Sequence, residues 1–224
     1  MTISTTAYLV LLVAVVPSLA LLGKRTLDRD LVIPRMPFYA ESGMIQLVLF
    51  ALAVLVARVN GIHLWASPDL SLRAIVLGLF VLLVSIASMR AAWSGAAEAT
   101  RRRLAQIVPS TPPERIAWVL LAAAAGVGEE TAYRGTLFAI LFSMAGDWLL
   151  AALMAAVIFG AAHLVQGWKN SAFVALFGFV FQLLAAATGA LYVGMVVHFL
   201  YDVVAGFWIS RLLRPPEEPG LVHG

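Results

Sequence analysis

The sequence predicts an all-α fold, a polytopic transmembrane helical bundle of about seven spans, from three observations. Hydrophobic residues make up 62% of the 224 and charged residues only 12%, whereas a soluble globular domain is nearer half apolar and a quarter charged. The apolar residues also come in blocks: 8–23, 44–57, 74–89 and 171–187 contain no Asp, Glu, Lys, Arg or His. No period-two alternation persists, so no strand signature competes with the helical reading.

Seven hydrophobic elements follow in order, at about 6–23, 44–59, 71–90, 114–144, 148–164, 171–187 and 190–213. The first lacks the basic start and small-residue cleavage site of a signal peptide, so a retained helix is expected, bent or tilted at Pro17. The second, third and sixth are uncharged over nearly a full span. The fourth is too long for one straight crossing. Its 31 residues would run roughly 46 Å as helix, against a hydrocarbon core of roughly 30 Å. A break is admissible near Gly126–Gly128, as is a re-entrant half-helix followed by a full one. The run Arg101-Arg102-Arg103 reads as a loop marking the cytoplasmic side, with a secondary capacity to grip anionic lipid heads. The end, 215–224, reads as a flexible tail after one transmembrane domain over 1–214.

Basic residues orient the bundle. Of the fifteen Lys and Arg, twelve fall in loops on one side, two (Arg58 and Arg73) on the other, and Arg134 lies inside a span. The bias places the N-terminus outside and the C-terminus in the cytoplasm, as for a plasma (inner) membrane. The net charge of +3 is therefore read as topology, and no nucleic-acid partner is expected. The absence of cysteine excludes disulfides, thiolate nucleophiles and thiolate zinc sites.

Six ionisable residues lie away from the ends of the spans: Glu129, Glu130, Arg134, His163, His198 and Asp202. Charges at bilayer depth are costly and usually face an interior site or a water-filled cavity. Glu130 and Arg134 stand four apart on a helix and can neutralise each other. Glu129 points about 100° away, leaving a carboxylate with no local partner and a general base in waiting. His198 and Asp202 also share a face, and a carboxylate can hold an imidazole in one orientation. Glu129, His163 and His198 follow one another at intervals of 34 and 35 residues, one helix and loop per step. Adjacent antiparallel helices would bring all three to one cavity. His163 lies nearer its helix end than Glu129, so a tilt or a broken fourth helix is required. Two histidines and a carboxylate on neighbouring helices also suit zinc, with Glu129, His163 and His198 as the donors. Each pair has a plain structural alternative as a buried ion-pair or hydrogen-bonded staple.

These groups resemble the signatures of the CPBP intramembrane proteases, which include CAAX prenyl endopeptidases and the bacteriocin-processing or self-immunity proteins of the Abi family. The pattern E-E-x-x-x-R, F-x-x-x-H, H-x-x-x-N reads here as Glu129-Glu130…Arg134, Phe159…His163 and His198…Asp202. Gly135, the stretch 163–167 and the stretch 188–191 fit as well, and the resemblance spans about 114–210.

The resemblance implies an intramembrane endopeptidase acting on a membrane-associated or lipidated protein or peptide. Glu129 and His163 would activate the attacking water, and His198 with residue 202 would stabilise the oxyanion. Glu130, Arg134 and Phe159 would shape the site. The family is described in both metallo- and metal-independent, glutamate-dependent terms, so a cofactor is left open. One departure matters: an Asn amide donates a hydrogen bond to an oxyanion, and an ionised Asp202 cannot. Two other readings stay open at this stage. One is a non-catalytic scaffold or immunity protein retaining the motifs; the other is a proton-coupled transporter, disfavoured by the lack of an internal repeat.

Overall fold

The computed structural model describes residues 2–27, 33–65 and 71–213. The expected tail at 215–224 lies outside the described residues. Among the described residues there are eight helices and no strand. They are α1 (3–27), α2 (Arg35–Val59), α3 (Leu72–Ser94), α4 (Glu98–Ile107), α5 (112–145), α6 (Trp148–Ala162), α7 (Trp168–Thr188) and α8 (Tyr192–Leu212). Five of them, α1, α2, α3, α7 and α8, are long and apolar enough to cross a membrane, and α6 is a shorter apolar helix. With α5, the one that carries the buried charges, they correspond to the seven elements expected. The chain is an integral membrane protein. Large apolar side chains such as Leu19, Leu22, Ile45, Phe80 and Leu83 point outward, a surface suited to lipid.

Two helices contain a widened turn. In α1 the stretch Leu11–Val15 is π-helical and precedes Pro17. Proline lacks an N–H and crowds the carbonyl four residues back, so the expected bend at Pro17 takes this form. In α5 the stretch Glu130–Leu137 is π-helical. The sequence suggested a break at Gly126–Gly128; instead the helix runs through both glycines, and the irregularity lies just after them. Those glycines serve close approach. A Cβ on Gly126 would lie 2.9 Å from the Met195 carbonyl oxygen of α8, and one on Gly128 would lie 2.8 Å from the Gln46 carbonyl oxygen of α2. Helix α5 is thus gripped from two sides at the level of the ionisable residues.

The π stretch is almost entirely buried and needs partners from other helices. The Tyr8 hydroxyl donates to the Ala132 carbonyl at 3.0 Å, and Thr136 Oγ1 donates to the Ala53 carbonyl at 3.0 Å. Around it, Leu12 of α1, Leu49 of α2, Leu137 of α5 and Ala151 and Phe159 of α6 form one apolar cluster.

The arginine run expected to be a loop lies on helix α4. The segment is rich in Glu, Ala, Arg and Leu, all good helix formers. Helix α2 holds its last turn: Arg35 donates to the Gln106 carbonyl at 3.1 Å and to the Ala105 carbonyl at 2.8 Å, and Tyr39 donates to the Ile107 carbonyl at 2.7 Å. These bonds satisfy carbonyls that a helix end otherwise leaves unpaired. Helix α2 can extend to Arg35, well before the expected start at 44, because Pro37 falls in its first turn, where no intrahelical N–H bond is lost.

Candidate active site

The charged residues of α5, α6 and α8 meet at one place, and the order of contacts differs from a simple reading of their spacing. Glu130 is fully buried. Its Oε1 lies 3.4 Å from an Arg134 guanidinium nitrogen and 3.0 Å from His198 Nδ1. The Arg134 guanidinium in turn lies 3.9 Å over the Phe159 ring and 5.6 Å from that of Phe181. The cation is therefore held between two aromatic faces and a carboxylate, at the wall of a cavity beside the site. Phe159 also packs edge-on against Tyr133, with ring centres 4.9 Å apart.

His163 caps the C-terminus of α6, and its Nδ1 lies 2.9 Å from the Phe159 carbonyl oxygen. A carbonyl only accepts, so Nδ1–H donates and a neutral His163 presents Nε2 as the free acceptor. The side chain reaches back by one turn along α6, in the direction Cβ bonds point on a helix. That reach brings the ring back toward Glu129, for which the sequence suggests a tilt or a broken fourth helix.

His198 donates from Nδ1 to Glu130. Its Nε2 faces two further carboxylates, Glu129 Oε2 at 3.8 Å and Asp202 Oδ2 at 3.6 Å. The sequence pairs His198 with Asp202 as its orienting carboxylate; the shorter bond is to Glu130, on another helix. Asp202 is held through its backbone, where its carbonyl accepts a hydrogen bond from the Trp118 indole at 3.0 Å.

Glu129 Oε2 lies 4.0 Å from His163 Nε2 and 3.8 Å from His198 Nε2. Both exceed a direct hydrogen bond, and both fall within the span of one bridging water. The sequence leaves Glu129 without a partner, but α2 supplies one: Gln46 Nε2 donates to Glu129 Oε1 at 2.6 Å. Gln46 is the only polar residue in the block 44–57. That lone amide in an apolar span was the one available signal, and it does not say which helix it faces.

A cavity of about 220 Å³ opens beside this group. His163, His198 and Asp202 form its polar end, and its walls are apolar, with Trp93, Phe173 and Ile209 among them. Leu104 and Ile107 of α4 also line it, so the helix bearing Arg101–Arg103 borders the cavity. Glu129 sits one layer behind the wall, screened by the two imidazoles.

Zinc would need three donors converging at about 2.0–2.2 Å, which places neighbouring donors roughly 3.3–3.6 Å apart in a tetrahedron. The candidate donors here stand 3.8 and 4.0 Å apart. Among the described residues no group of three His, Asp or Glu is placed to hold a metal ion. As arranged, the three groups stand wider apart than zinc donors do.

Residues 111–204 match the family described as type II CAAX prenyl endopeptidase Rce1-like, a stretch that contains Glu129, His163 and His198. No curated protein and no solved structure matches the chain.

Proposed function

We propose, from the premise that the chain belongs through residues 111–204 to the CPBP (CAAX protease) family, that it is an intramembrane endopeptidase using a Glu129/His163-activated water. The observation that carries this reading is the placement of Glu129 Oε2 opposite the Nε2 atoms of both His163 and His198, at 4.0 and 3.8 Å. The three groups come from three helices, with the two histidines lining an apolar cavity and Glu129 behind them.

Water between Glu129 and His163 gives up a proton to that pair as its oxygen attacks the scissile carbonyl carbon. The carbonyl π electrons move onto oxygen. His198, doubly protonated, donates from Nε2 to this oxyanion while Glu130 fixes the ring through Nδ1. The tetrahedral intermediate collapses, the C–N bond breaks, and the proton held by the base passes to the leaving amine. Arg134 neutralises Glu130 in the ground state, so its negative charge is not added to those of Glu129 and Asp202 at the reacting centre.

Asp202 Oδ2, 3.6 Å from His198 Nε2, is too far for a hydrogen bond and favours a proton on Nε2 through its charge. In this role it positions the donor and does not itself contact the oxyanion.

The substrate is a membrane-associated or lipidated protein or peptide, whose apolar part fits the aromatic and aliphatic walls. The arginine-bearing helix α4 borders the cavity, so the positive-inside rule turns that opening toward the cytoplasm. With it go an external N-terminus, a cytoplasmic C-terminus and residence in a plasma or inner membrane.

The test compares protein termini in membranes from cells carrying the wild type, Glu129→Gln or His163→Ala. New C- or N-termini present only with the wild type support the reading. Termini that survive Glu129→Gln overturn it. General-base removal should lower turnover by about 10²–10⁴-fold.

A further inference from the structure

We infer that Gln46 is a positioning residue for Glu129, contributed to the site by a helix outside the matched segment 111–204. This rests on the reading of Glu129 as the working carboxylate. The bond from Gln46 Nε2 to Glu129 Oε1, at 2.6 Å, lies at the short end for an amide donor. A carboxylate's last torsion is broad and two-fold, so an untethered Glu129 could turn either oxygen, or neither, toward the histidines. With Oε1 engaged by Gln46, only Oε2 faces His163 and His198.

Two features argue for a fitted contact. First, the backbone of α2 reaches this depth only because residue 128 has no side chain: a Cβ there would lie 2.8 Å from the Gln46 carbonyl oxygen and 3.2 Å from its Oε1. The glycine that admits α2 immediately precedes the carboxylate that α2 holds. Second, the adjacent carboxylates receive partners of different charge. Glu130 is matched by the Arg134 cation, which removes its basicity from the reaction. Glu129 is matched by a neutral amide, which orients it and leaves its charge in place. A cation at position 46 would orient equally well and quench the base.

The experiment measures kcat and KM with the reconstituted full chain, using as probe a protein whose terminus depends on Glu129 in the comparison above. Gln46→Leu should lower kcat about 10- to 100-fold with KM nearly unchanged, the scale expected when a reacting group is misplaced by about 1 Å. Gln46→Glu should be impaired at neutral pH and should recover as the pH falls, since only a protonated carboxyl can donate. Gly128→Ala should reproduce the Gln46→Leu defect, and the two together should be less than additive, as for residues acting through one contact.

An activity-free readout runs in parallel. Gln46→Leu should shift a carboxylate stretching band in the infrared difference spectrum, and that shift should vanish when Glu129→Gln is also present. Unchanged kcat and an unchanged carboxylate band in Gln46→Leu, with Glu129→Gln inactive, overturn the Gln46 role alone. Cleavage that survives Glu129→Gln overturns the mechanism and this role together.

Discussion

Glu130 Oε1 is shared between Arg134 and His198, at 3.4 and 3.0 Å, so the carboxylate that buries the arginine also aims the imidazole. The pair that the sequence presents as a local ion-pair staple is thereby wired into the site. Removing either partner has different consequences for stability and for activity.

Arg134→Leu leaves Glu130 buried without its cation. Breaking a buried pair from one side costs about 3–5 kcal/mol, so the variant should lose cooperative thermal unfolding in detergent at temperatures where the wild type is folded. Glu130→Gln keeps the shape and an acceptor oxygen for His198. It should be the milder change in stability while still lowering kcat.

Asp202→Asn installs the residue of the H-x-x-x-N pattern that the sequence resembles. An Asn amide can donate to the oxyanion where an ionised carboxylate cannot. Because the carboxylate is what holds the proton on His198 Nε2, Asp202→Asn should lower kcat as Asp202→Ala does, and wild-type kcat in Asp202→Asn would assign position 202 a donor role instead. A loss in Asp202→Asn as deep as in Asp202→Ala would show that the carboxylate charge, and not a side chain that fills the space, is what His198 requires.

Removal of divalent metal should leave cleavage unchanged, because Glu129, His163 and His198 do not converge as zinc donors in this arrangement. The measurement is the cleavage rate of the purified protein before and after prolonged chelation, with metal content determined on the same sample. Activity lost to the chelator and restored by zinc alone would assign a metal to the site.

Tyr8→Phe tests the support of the π stretch. It deletes the donor to the Ala132 carbonyl and leaves a buried acceptor short of a partner, at a cost of about 1–3 kcal/mol. The expected result is a lower melting temperature with kcat little affected, since Tyr8 touches none of the ionisable groups.

How much was legible in advance varies with the range of the interaction. The spans were legible because apolar length is a local property, and residues 171–187 are uncharged whatever packs against them. The extent of α4 was missed because three consecutive arginines weigh as a topology signal, and their helix is pinned by Arg35 and Tyr39 from a distant segment. In the sequence the glycines of α5 look like a weak point. Their meaning depends on Met195 and Gln46 lying against them, which no local pattern records.

The same division holds at the site. The sequence by itself determined a membrane-embedded helical bundle and its inventory of intramembrane acid, base and cation, because hydropathy and residue type are properties of single stretches of chain. Spacing by four along a helix also brings Glu130 toward Arg134 without help from elsewhere. Only the tertiary structure decided that His198 takes its orienting bond from Glu130, that Gln46 holds Glu129, and that His163 reaches back to their level. Those contacts depend on the relative rotation and depth of separate helices. That register is set by side-chain volume at contacts such as Gly126 and Gly128, where the missing Cβ lets neighbouring backbones approach.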